Sequence, residues 1–201
     1  MSINKIEEDI SHIRQVMDRT EKFGSVSGTA GIVAGTSAIV GAGIGCIWLG
    51  IDPLLNKYGF SFTDTWSILL LAGVMLTISV LTAVILSIRN AKRTGESAFT
   101  ATSKRLLYTM TVPLSFGGIF TLSLFSLGLF WLSLAATLLF YGLAMFSAAA
   151  FSHSEFRTLG LLCACLGIIA GWFPQYSLIC WAAGFGLLNI IFGFIINIKH
   201  R

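Results

Sequence analysis

The sequence predicts an all-α membrane bundle: six transmembrane helices preceded by an amphipathic helix on the cytoplasmic side. Three observations predict it. Only 11% of the 201 residues are charged, 55% are apolar and the mean hydropathy is +0.84. A soluble domain carries about 25% charged residues, so this chain lacks the charge to coat a water-facing surface. The apolar residues gather into six runs near the roughly 20 residues that cross a hydrocarbon core. Twelve of the 13 basic residues fall on one side of the resulting alternation, and only Lys57 on the other. These patterns exclude a soluble globular domain and a disordered chain. The surplus of +4 reads as an orientation signal rather than a nucleic-acid surface.

Residues 1–24 form the first segment. Ile3, Ile6, Ile10, Ile13 and Met17 step by three and four, which lays one apolar seam along a helix. The polar face holds Lys5, Arg14, Arg19 and Lys22 against Glu7, Glu8, Asp9, Asp18 and Glu21. A helix lying on anionic lipid is rich in Lys and Arg on that face. This one is slightly acidic, so its seam is expected to dock on protein, either on its own bundle or on a second chain. The acids and the missing cleavage site also set it apart from a signal peptide.

The membrane domain, 25–198, holds predicted spans at 26–50, 66–88, 106–127, 130–151, 158–173 and 177–197. Seven of the 25 residues in the first span are glycine. Gly24 and Gly28, Gly31 and Gly35, and Gly41 and Gly45 each stand four apart, so small faces recur along the helix. Such faces let helix backbones approach closely in lipid. Gly28, Gly31, Gly35, Gly41 and Gly45 are therefore packing candidates, and a span so poor in bulky side chains is expected inside the bundle. The same glycines would also suit a broken span lining a path. Tight turns are expected near Gly128 and at Phe173-Pro174-Gln175, making antiparallel neighbours of spans three and four and of spans five and six. The fifth span is expected to be the shortest.

Basic residues stay in the cytoplasm, so both termini are expected there. All five tryptophans (Trp48, Trp66, Trp131, Trp172 and Trp181) fall at the opposite ends of spans, where amphipathic rings favour the interface. The basic loop Arg89 to Arg105 would also attract anionic headgroups, at about 1 kcal/mol per basic side chain.

An ionisable residue at mid-membrane marks a functional site by default, and here every Asp, Glu, Lys, Arg and His lies near a span end or in a loop. No Walker loop, zinc-type cluster, GxSxG or HExxH occurs. Neither a catalytic residue nor a metal site nor a cofactor is expected. Cys163 and Cys165 point to opposite sides of a helix and cannot share a metal, while similar depth leaves a Cys46–Cys180 disulfide open. His153-Ser154-Glu155 has the composition of a catalytic trio but lies in a turn. What remains at depth is neutral and polar: Tyr141, Asn189, and the hydroxyls of Thr77, Ser79 and Thr82. Pro113, followed by Gly117-Gly118, is expected to loosen or kink span three. Tyr141, Asn189, Thr77 and Pro113 are thus candidates for a small polar pocket taking an uncharged solute or a lipid headgroup. The same groups also suit interhelical hydrogen bonds of about 0.6 kcal/mol each.

The stretch Ile13-Arg14-Gln15-Val16-Met17-Asp18-Arg19, with Ser27-Gly28 and Gly31, resembles the start of a group of uncharacterised bacterial membrane proteins with a cytoplasmic helix before six spans. The last hairpin is similar to the same group through Gly160, Gly167, Gly171, Trp172-Phe173-Pro174, Gly184, Gly186 and Gly193. That hairpin also resembles those of HdeD-type acid-resistance membrane proteins. The resemblance implies a bacterial cytoplasmic (inner) membrane and brings no catalytic or ligand residues. The expected partners are the lipid bilayer and a second copy or another membrane protein. The leading expectation is a non-enzymatic membrane module acting through protein contacts, and the rival is a transporter or channel for a neutral or lipidic small molecule.

Overall fold

A computed structural model describes residues 28–48, 62–94, 101–152 and 154–199. The seam Ile3, Ile6, Ile10, Ile13 and Met17 lies outside the described residues, as do Gly24, Lys57 and His153. Five long helices come first: α1 Gly28–Trp48, α2 Phe62–Thr94, α3 Ala101–Ser126, α4 Phe130–Ala148 and α5 Glu155–Trp172. A 3-10 turn at Pro174–Tyr176 opens the sixth span, followed by α6 (Ser177–Trp181), a π-helical turn (Ala182–Leu188) and α7 (Asn189–Lys199). The described residues form an all-α protein with six helices long and apolar enough to cross a membrane, from Gly28–Ile47 to Pro174–Lys199. The fifth, Glu155–Trp172, is the shortest at 18 residues.

Both expected turns are present. After α3 the chain reverses at Gly128, whose φ of +77° is the left-handed conformation that glycine adopts without steric cost. Gly128 N–H donates to Phe125 O over 3.0 Å, and Leu129 N–H donates to Leu124 O over 3.0 Å. This pair of bonds is a Schellman cap, satisfying carbonyls that the helix end would otherwise leave open. Between α5 and α6, Pro174 fixes φ and begins the 3-10 turn at its first position.

The helices do not ring a common axis. α4 packs on α5 along most of its length and on α3 along its other side, and α1 packs on α2, α7 and the π turn. The sixth span joins the two groups, touching α5 and α4 at its start and α1 at its end. The core lies among α4, α5 and the sixth span, where Ala135, Leu138, Leu159, Cys163, Ala170 and Cys180 are buried against Tyr141, Phe185 and Leu188. A second cluster at the tryptophan end unites Ile68, Phe130 and Leu178 with Cys46 and Phe125.

One expectation needs correction. α1 is flanked by α2 and the sixth span rather than enclosed, and Val33, Ile39, Val40 and Ile47 remain exposed. Gly28, Gly31 and Gly35 face the sixth span, so they serve a seam on one side of α1 rather than a fully surrounded helix. α3 runs through Pro113 and Gly117-Gly118 as one helical segment, Ala101–Ser126. A proline in a membrane helix is tolerated when its surroundings re-satisfy the freed backbone group.

Candidate functional site

Glycine sets how closely the sixth span meets its neighbours. A Cβ on Gly35 would lie 2.6 Å from Gly186 O, and one on Gly193 would lie 2.6 Å from Gly28 O. A Cβ on Gly28 would collide with Gly193 O, while one on Gly31 would meet Asn189 O at 3.2 Å. The α1–α7 contact is therefore backbone on backbone, as the small faces of α1 predict. Gly41 instead faces the Met75 side chain of α2, and Gly45 is buried.

A second seam joins α4 to α5. A Cβ on Gly142 would lie 2.6 Å from Gly160 O, one on Gly160 the same distance from Gly142 O, and one on Gly167 would lie 2.7 Å from Leu139 N. Sequence reasoning singled out Gly160 and Gly167 but not Gly142, the lone glycine of α4.

Between the two seams lies the polar group of the membrane interior. Tyr141 of α4 donates its hydroxyl hydrogen to Asn189 Oδ1 over 2.7 Å. Asn189 Nδ2 donates to Gly184 O over 3.2 Å and to Phe185 O over 3.1 Å. Backbone carbonyls only accept, so they hold the amide nitrogen and leave Oδ1 for the phenol. Cys163 on α5 directs its thiol at the same Gly184 carbonyl, over 3.8 Å. The Tyr141 and Phe185 rings stand 4.6 Å apart, Phe185 and Trp181 5.0 Å apart, and Trp181 Nε1–H donates to Thr137 Oγ1 over 3.2 Å. These bonds tie α4, α5 and the sixth span into one unit around the π turn.

Of the four pocket candidates, only Tyr141 and Asn189 come together. Thr77 stands exposed on α2 and donates its hydroxyl to Gly73 O, four residues back, over 2.7 Å. This local bond satisfies the hydroxyl within its own helix and removes Thr77 from the site. Pro113 is half-buried on α3, a helix whose main packing is on α4.

A separate groove runs between α3, α4 and α5. Its volume is about 460 Å³, and Phe120, Leu124, Leu132, Phe140, Ile168 and Trp172 give it an apolar lining, with Gly167 and Gly171 also lining it. Sequence reasoning missed it because no single helix signals it; it exists where α3 and α5 flank α4.

At the opposite end of the helices, Lys199 Nζ meets Glu155 Oε1 at 2.6 Å, and Ser154 donates to Glu155 Oε2 over 3.2 Å. Glu155 thus ties α5 to α7. All four cysteines are free, so Cys46 and Cys180 form no disulfide. Cys163 is buried while Cys165 is exposed, as their spacing on a helix requires. Among the described residues, no group of three His, Cys, Asp or Glu could hold a metal ion.

This arrangement defines the class, an all-α protein of six membrane-crossing lengths built on two glycine seams. No family model, curated protein or solved structure matches the chain.

Proposed function

We propose that this protein is a non-enzymatic membrane module that acts through protein contacts, with a second copy or with another membrane protein. The observation that carries this reading is the unequal use of its helices. The polar side chains Tyr141, Asn189, Trp181 and Thr137 are engaged with one another, and glycine seams bring the inner helices to backbone contact. Meanwhile α2 leans on α1 and α3 on α4, leaving long faces such as Leu70, Leu76 and Leu81, or Phe116, Ile119 and Leu122, open. Gly73 on α2 and Gly118 on α3 have open space where a Cβ would stand, which lets another helix approach closely.

The site of action in this reading is a bacterial cytoplasmic membrane with both termini in the cytoplasm. Twelve of 13 basic residues on one side of the alternation support that orientation. Purification in mild detergent followed by intact-mass measurement tests the function. A defined oligomer or a stoichiometric protein partner supports it, and a lone 21.7 kDa chain counts against it.

A second reading, carriage of a lipidic molecule, is favoured by the apolar groove between α3, α4 and α5. A specific lipid retained through purification, and lost when Ile168→Trp fills the groove, would select it.

A further inference from the structure

We propose that the π turn Ala182–Leu188 is a register joint: it absorbs one extra residue so that the two halves of the sixth span can satisfy two different packing bodies. A turn closed by i→i+5 bonds holds one more residue than a turn closed by i→i+4 bonds, and such turns occur mostly as single bulges in α-helices. The half before the turn is fixed by α4 and α5. Ser177 Oγ donates to Ala170 O over 2.9 Å, and Trp181 Nε1–H donates to Thr137 Oγ1 over 3.2 Å. The half after it is fixed by α1, through Asn189 against Gly31 and Gly193 against Gly28, while Gly186 within the turn already lies against Gly35.

One residue of α-helix is a rotation of about 100° and a rise of about 1.5 Å. Were an α turn forced on the same sequence, one half would rotate by that amount. Either the Ser177 and Trp181 anchors would leave α5 and α4, or the glycines would turn away from α1. The seven-residue π turn lets both sets of contacts hold. Asn189 stands at its end as a bolt, its amide donating to Gly184 O and Phe185 O, and Tyr141 holds the bolt from α4. The joint is thus the place where the α1–α2 pair can turn against α3–α4–α5 without breaking either seam.

Two measurements on the full chain test this, and either can overturn it. The first compares single-residue deletions in mild detergent. Deleting Ala183 removes the extra residue, so the sixth span becomes continuous α-helix with both seams in register. Its thermal midpoint should equal or exceed that of the parent. Deleting Ile191, within regular α7, rotates Gly193 away from Gly28 and should lower the midpoint or abolish folding. If the Ala183 deletion is as damaging as the Ile191 deletion, the turn holds no spare residue and the proposal fails. The second measurement is amide hydrogen exchange in the parent chain and in Asn189→Ala. Amides of the turn should exchange faster than those of α7, and faster again in the variant. Exchange as slow as in α7, unchanged by Asn189→Ala, would show a rigid segment and overturn the proposal.

Discussion

Tyr141 and Asn189 stand 48 residues apart in the chain, and a 2.7 Å hydrogen bond joins them between α4 and the sixth span. The bond is asymmetric in what each partner supports. Tyr141 makes one contact through its hydroxyl, while Asn189 also serves two backbone carbonyls. Tyr141→Phe should therefore cost about 0.6 kcal/mol, the average for an interhelical bond in lipid. Asn189→Leu should cost more, about 1–3 kcal/mol, because it leaves a buried hydroxyl without its acceptor. Thermal or denaturant unfolding in detergent checks the order, and a larger loss in Tyr141→Phe would contradict it.

The glycine seams separate positions that look alike in sequence. Gly35→Ala would bring a methyl to 2.6 Å from Gly186 O, and Gly160→Ala one to the same distance from Gly142 O. Both are backbone neighbours that cannot step aside, so both variants should melt well below the parent. Gly43 has nothing within 4 Å, and Gly43→Ala should be neutral or gain up to about 1 kcal/mol from helix propensity. Equal melting of all three would show that the seams are not close-packed.

At the α3–α4 turn the cost has a different origin. Gly128 meets no neighbour but holds φ at +77°. Gly128→Ala should lose roughly 1–2 kcal/mol, the penalty for an L side chain in the left-handed region, and Gly128→Asn should lose less. An alanine variant as stable as the parent would rule out the cap.

The spans, the Gly128 and Pro174 turns and the glycine face of α1 were legible in the sequence because each follows from a local rule: apolar run length, turn chemistry or repeated small residues. Tyr141 and Asn189 were also legible, since counting residues from the span ends placed both near the same depth. Other features depend on which helices become neighbours. Gly142 is the lone glycine of α4, and only contact with Gly160 and Ala164 of α5 gives it a role. The π turn leaves the apolar pattern of Ala182–Leu188 unchanged, so hydropathy cannot reveal it. Thr77 lies on α2, which reaches the sixth span only near Ile68 and Leu178 in the described core, and its hydroxyl turns back to Gly73.

Orientation gives a prediction independent of packing. A reporter active only in the cytoplasm should be active when fused after Arg201 or within Arg89–Arg105, and silent near Lys57. The reverse pattern would contradict the orientation proposed from the basic residues.

The proposed role in protein contacts is tested most directly in native membranes, by a photo-reactive phenylalanine analogue placed at Leu76 on α2 or Phe116 on α3, which are 66% and 68% exposed. The account predicts a discrete protein adduct from at least one of these faces, at twice the chain mass for a second copy or at a fixed higher mass for another partner. Adducts with lipid alone from both faces would contradict it.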